Sequence, residues 1–217
     1  MTKTGDAARP PMISDPESLL DTFQLYRKQI TIGAIVVAAV AGGAFLWQAS
    51  NARKSAQAEK AFFDAIALYG QGDPKAAADL AKVAARYNGT AGGVQAAMIL
   101  AQSHFDGGKF DEGLKALDAV SSAGVFASGL EALKAVGYEG KQQFDKAAEH
   151  YLAAVAKASL SGEKDYLKGE AARALTAAGK KAEALKVWEE LAAKFDSPMA
   201  GEARIRIGEL TAAPVKN

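Results

Sequence analysis

Four passages of the chain follow one plan: "GDPKAAADLAKVAARY", "GKFDEGLKALDAV", "QQFDKAAEHYLAAVAKA" and "GKKAEALKVWEELAAKF". Each opens near a turn, usually glycine beside a polar residue, and brings in a small residue shortly afterwards. These small positions are Ala77, Gly113, Ala147 and Ala184, spaced 36, 34 and 37 residues apart. Such a period marks a supersecondary unit that cannot bury its apolar face alone and stacks on its neighbours instead. Within each unit, Gly72, Gly108 or Gly179 can take the left-handed conformation that ends a first helix. The small residue early in the second helix then lets the pair pack closely.

Large residues recur at helical intervals around these positions. Ala184, Trp188, Leu191 and Phe195 stand at 0, +4, +7 and +11 and predict one buried stripe. First helices carry similar stripes: Phe62, Ile66 and Tyr69; Val94, Met98, Ala101 and Phe105; Leu130, Leu133 and Val136; Tyr166, Ala171 and Leu175. Ser197-Pro198 opens a last helix, with Met199, Ala203, Ile207 and Leu210 facing inward to cap the open end. The expected fold is all-α: an α-solenoid of about four helical hairpins plus a capping helix over residues 52–211, then a flexible tail at 212–217. Abundant alanine agrees with this, because alanine loses no side-chain entropy in a helix. Three of the six prolines stand before residue 17, and no Val/Ile/Thr-rich alternation suggests a sheet.

Upstream lies a stretch of a different kind. From Ile30 to Trp47 there are 18 residues without a charge, and Thr31 is the one polar side chain among them. As a helix it would cover roughly 27 Å, close to the hydrocarbon thickness of a bilayer. Arg27 and Lys28 flank one end, and Trp47, at the other, suits a membrane interface. The expectation is a transmembrane helix over 30–47. Cleavage as a secretory signal is the competing reading, with small residues Ala49 and Ala52 following the stretch. The 29 residues before the apolar run are long for a basic n-region and favour an uncleaved anchor. Basic residues Lys3, Arg9, Arg27 and Lys28 precede the span, against Arg53, Lys54 and Lys60 after it. That slight bias puts the N-terminus in the cytoplasm and the solenoid outside it.

Ala34, Ala38 and Gly42 recur every four residues and could form a face on which another membrane helix packs. The general abundance of Ala and Gly in the stretch accounts for the same pattern. Before the span, Ser14, Pro16 and Glu17 have the order of a helix start, and Leu19, Leu20, Phe23 and Tyr26 mark one face. Residues 14–29 are therefore expected to form a short juxtamembrane helix, or to extend the span itself, with a disordered tail at 1–13.

Taken together, the aromatic and basic cluster Phe23, Tyr26, Arg27 and Lys28, the Gly/Ala-rich span ending in Trp47, the basic helix "NARKSAQAEKAFFDAIALY" and the degenerate helical repeats resemble a known group. They are similar to the single-span, tetratricopeptide repeat (TPR)-like ancillary subunits of the bacterial Sec translocon, the YfgM-type family, over roughly residues 17–211. The resemblance implies a bacterial inner-membrane protein whose periplasmic solenoid contacts translocon and chaperone partners. It supplies no catalytic residue.

The residues themselves point to no enzyme and no cofactor. Cysteine is absent, which removes disulfides, thiolate metal sites and cysteine nucleophiles together. His104 and His150 fall in different repeats, each without a second ligand at helical spacing. The Gly-Gly-Lys of "DGGKFDE" lacks the spacing and the hydroxyl residue of a phosphate loop. A net charge of +1 gives no electrostatic footprint for nucleic acid.

Two functions are then expected. The first is a membrane-anchored protein-interaction scaffold of the export machinery. Its partners would be an integral membrane complex through the span, and a periplasmic protein or peptide through a groove lined by Gln95, Gln102, His104, Lys134, Tyr138 and Lys168. The alternative is a structural accessory subunit that clamps the periplasmic face of a respiratory or photosynthetic complex.

Overall fold

A computed structural model describes the backbone of residues 16–71, 73 and 75–212, and side chains from residue 39 onward, positions 72 and 74 excepted. Among the described residues there are nine α-helices, one short 3-10 turn and no strand. The helices are α1 Pro16–Gly70, α2 Ala76–Arg86, α3 Ala91–Asp106, α4 Phe110–Asp118, α5 Ala127–Gly140, α6 Phe144–Lys157, α7 Ser161–Ala177, α8 Lys181–Ala192 and α9 Ala200–Thr211; the 3-10 turn is Gly124–Phe126. The chain divides into two compact units, Met1–Ala52 and Arg53–Asn217.

In the first unit, α1 runs without a break through both the stretch expected as a juxtamembrane helix (14–29) and the apolar stretch (30–47). Residues 1–15, including Ser14, lie outside the described residues, as do Gly72 and the tail from 213 onward. So do the side chains of Arg27, Lys28, Ala34 and Ala38. Gly42 is exposed, and Val40, Phe45, Leu46 and Trp47 are 67–70% exposed. Among the described residues no helix is long and apolar enough to cross a membrane. The side chains of residues 30–38 of the expected span fall outside that set.

The second unit is a stack of helical hairpins. The end of α1 pairs with α2, α3 with α4, α5 with α6 and α7 with α8, and α9 closes the series against α8. Three apolar clusters follow one another along it. Phe62, Leu80, Val83 and Leu100 form the first; Val94, Phe105, Leu114, Leu117 and Leu130 the second; Tyr151, Leu167, Leu175, Trp188, Leu191 and Met199 belong to the third. Each cluster is shared by adjacent hairpins, as expected where every unit buries its face on the next.

The small positions show why the pairs sit close. A methyl group built on Gly113 would stand 2.3 Å from Phe105 Cε1 and 2.9 Å from the Ala101 carbonyl oxygen. Ala147 and Ala184 are fully buried. In the first repeat the register corrects the sequence reading by one residue: Ala76 is buried at 1% exposure, and Ala77 is only partly buried. The buried sets Ala76/Leu80/Val83 and Ala184/Trp188/Leu191 then share one 0, +4, +7 spacing. Here α2 begins at its small residue, whereas Gly113, Ala147 and Ala184 each lie three residues into their helices.

Four other expectations are corrected. Tyr69 is 37% exposed near the end of α1, where Ala65 takes the buried position beside Phe62. Phe195 is 97% exposed, because α8 ends at Ala192 and helical periodicity stops with it. Tyr166 is 54% exposed, and its neighbour Leu167 takes the buried position beside Ala171 and Leu175. Val136 points outward on α5, with Ala135 and Gly137 buried on either side.

Candidate functional site

The residues expected to line a groove are distributed over α3, α5 and α7, and the structure does not gather them into one site. Gln95 and His104 are half-buried on α3; Gln102, exposed, donates to Asp106 Oδ1 at 2.8 Å. Lys134 pairs with Asp118 Oδ1 of α4 at 2.6 Å. The Tyr138 ring stacks on His150 of α6 with centroids 5.0 Å apart. Lys168 reaches Glu190 of α8 at 2.8 Å. Thus Lys134, Tyr138 and Lys168 join first helices to second helices. Sequence spacing shows that a residue is off the buried stripe, but not which flank of the helix it occupies.

His150 takes part in a compact polar cluster. Its Nδ1 lies 2.8 Å from Glu131 Oε2, and Lys157 binds the other carboxylate oxygen. Burial pushes the Glu131 carboxyl up, but the hydrogen bonds from Lys157 and His150 outweigh this and hold it below the usual range. His104 is not part of the cluster. Among the described residues no group of three or more acidic or histidine side chains could hold a metal ion.

A larger network joins α5, α6, α7 and α9. Tyr151 Oη donates to Glu139 Oε2 at 3.1 Å, and burial raises both groups above their ordinary values. Arg173 forks onto Glu202, with Nε to Oε1 at 3.0 Å and Nη2 to Oε2 at 2.6 Å, and also binds Glu170. Arg206 continues the row to Glu202 and, at 2.9 Å, to Glu209. The hydrogen bond from Arg173 keeps the Glu202 carboxyl low. Such a forked arginine pair is directional and locks α9 onto α7.

Beside this network opens a cleft of about 410 Å³, lined by Arg173, Thr176, Ala177, Trp188, Arg206, Glu209 and Leu210. Trp188, fully buried, has an indole N–H with no acceptor among the described residues. A second cleft of about 300 Å³ lies between α1 and α2, where Ala65, Leu68 and Val83 meet Asp64, Asp79, Lys82 and Arg86. Both are mixed apolar and charged surfaces with arginine and aromatic groups, suited to hydrogen-bonded contact with polypeptide. The sequence reading missed the Arg173–Glu202 network. No repeat spacing announced it: Arg173 and Glu202 stand 29 residues apart, and Glu202 is on the closing helix α9.

The model of the tetratricopeptide repeat-like domain matches residues 22–207. The chain belongs to that family. Two solved structures share the fold: TPR-like repeats of a protein described as a kinesin light chain from Podosopora anserina, and a point variant of the same protein. The first superposes with a TM-score of 0.55 at 17% identity, covering 72% of this chain and 86% of that one. The variant gives 0.54 and 17%, covering 72% and 85%. At this identity the likeness is one of fold. No curated protein matches the sequence. TPR-like domains bind protein partners, and the TPR-like fold of this chain is that of an interaction scaffold.

Proposed function

We propose that the chain is a membrane-anchored interaction scaffold, an ancillary subunit of the protein-export machinery that links the translocon to periplasmic chaperones or clients. The observation that carries the anchoring is the exposure of Val40, Phe45, Leu46 and Trp47, each 67–70% open on α1 within a stretch that holds no charge. Such a surface is costly in water and at home in lipid. The TPR-like unit supplies the protein-binding half. The translocon as partner rests on the resemblance to the YfgM-type subunits.

In this reading Ala34, Ala38 and Gly42 form the face that meets a translocon helix, Arg27, Lys28 and Trp47 sit at the two interfaces, and the N-terminus is cytoplasmic. Around Gly42 there is room, since a methyl group built there meets no atom within 4 Å. A photo-crosslinker placed at Gly42 in the intact protein, followed by mass spectrometry of the adducts, tests the assignment. Translocon subunits are the expected product. Recovery of a respiratory or photosynthetic subunit instead would move the protein to the accessory-subunit class.

A further inference from the structure

In the second unit, the three most exposed large apolar side chains are Phe195 at 97%, Val125 at 92% and Leu160 at 71%. Isolated exposed apolar residues are ordinary on any protein. These are distinguished by where they fall. Val125 lies between α4 and α5, Leu160 between α6 and α7, and Phe195 between α8 and α9, one in each of three successive connections between hairpins.

Direct contacts place these connections at one edge of the stack. Asn88, between α2 and α3, donates to the Ala119 carbonyl and accepts from the Ser121 amide and hydroxyl in the next connection. Ser128 at the start of α5 donates to the Ala154 carbonyl near the end of α6 and to Glu163 at the start of α7. Lys194, beside Phe195, binds Asp165 near the start of α7 at 2.5 Å. The turns within hairpins form the other edge. There Lys141 pairs with Asp111 and Lys180 with Asp145, and among the described residues no large apolar side chain exceeds the 37% exposure of Tyr69.

The chain also enters the solenoid at the apolar edge. Gly92, at the start of α3, lies against Ala58, where a built methyl would stand 2.6 Å from the carbonyl oxygen. The first residues of the second unit, from Arg53, therefore share the edge that holds the starts of the first helices. Arg53 follows Trp47 by six residues, a length of chain that spans at most about 20 Å.

We propose that this edge rests on the lipid bilayer, with Val125, Leu160 and Phe195 dipping into its interface. This rests on the anchored reading above and adds a second contact to it. A protein partner would grip a contiguous patch or pocket, and the three tips line none of the clefts described. They project singly from connections rich in small and polar residues, such as Ser121-Ser122-Ala123-Gly124 and Ser159, Ser161 and Gly162. The basic residues nearest two of the tips are engaged within the protein, Lys157 by Glu131 and Lys194 by Asp165. Apolar insertion, not headgroup charge, thus holds the edge. Each side chain alone binds lipid weakly, but a tether a few residues away makes the contact intramolecular and raises its effective concentration.

The absence of natural cysteine allows a clean test. The full chain, carrying Val125→Cys, Leu160→Cys or Phe195→Cys with a bimane label, is reconstituted into phosphatidylcholine/phosphatidylglycerol vesicles containing nitroxide lipids. Ala44→Cys reports on the apolar stretch, and Lys109→Cys and Gln142→Cys report on the opposite edge. The expected result is quenching at 125, 160 and 195 by nitroxides near the headgroups, deep quenching at 44, and none at 109 or 142. Quenching at 44 with none at the three tips would overturn this proposal and leave the anchor standing. Equal quenching at both edges would overturn it too. No quenching at 44 would remove the anchored reading itself, and this proposal with it.

Discussion

At position 142 the backbone takes a φ of +57° with a glutamine, where Gly108 and Gly179 hold the equivalent turns at +71° and +78°. A side chain in that region costs about 1–2 kcal/mol, part of which returns as lower entropy in the unfolded chain. Gln142→Gly is therefore expected to stabilise the protein by about 0.5–1 kcal/mol, visible as a small rise in the thermal midpoint. Four carboxyls held below their ordinary values, Glu131, Asp165, Glu190 and Glu202, shape the acid limb of stability. The hydrogen bond from Arg173 holds Glu202 below its ordinary 4.5. Asp165 is pushed up by burial but held below 3.8 by the bonds from Lys194 and Ser197, which outweigh it. A depressed carboxyl contributes stability that is complete above its unfolded value and is lost as pH falls through its folded value. Melting curves between about pH 5 and pH 3 should fall less steeply for Glu202→Gln than for the parent protein. At neutral pH the same variant should be less stable by about 1–2 kcal/mol, the loss of a half-buried forked pair. Glu139, raised by burial, contributes in the opposite sense, and its share fades as pH rises through its folded value.

At the scale of the helices, the one-residue register of the first repeat is open to test. Ala76→Leu should cost about 1–3 kcal/mol through overpacking, and Ala77→Leu distinctly less, as measured by urea unfolding. Hairpin number and the closing helix were legible in the sequence because each rests on a period carried by large residues. Trp188 and Leu191 are fully buried where that period puts them. What escaped depends on where helices end and on which flank a polar residue stands. Phe195 continues the numerical spacing but lies past the last turn of α8. Lys134, Tyr138 and Lys168 read as groove residues because they lie off the buried stripe, yet their partners Asp118, His150 and Glu190 sit on second helices. A single helix has a period; the pairing of its flanks is set by the neighbours. The Arg173–Glu202 fork joins a first helix, α7, to the closing helix α9 with no local motif to announce it.

The whole molecule combines a TPR-like unit from Arg53 onward with an upstream helix whose described apolar side chains lie open. In the stack, each hairpin is held by its neighbours, so loss of the cap should propagate from that end. Arg173→Ala, which releases α9 from α7, should raise amide exchange first in α9 and in α7, and leave α3 protected. In the proposed reading the upstream helix anchors the scaffold. Alkaline carbonate extraction of membranes from cells that make the intact chain, followed by detection of its C-terminal end, tests the anchored scaffold most directly. Full-length protein is expected in the membrane pellet, and recovery of the chain in the supernatant, whole or shortened behind Trp47, would contradict the anchored reading.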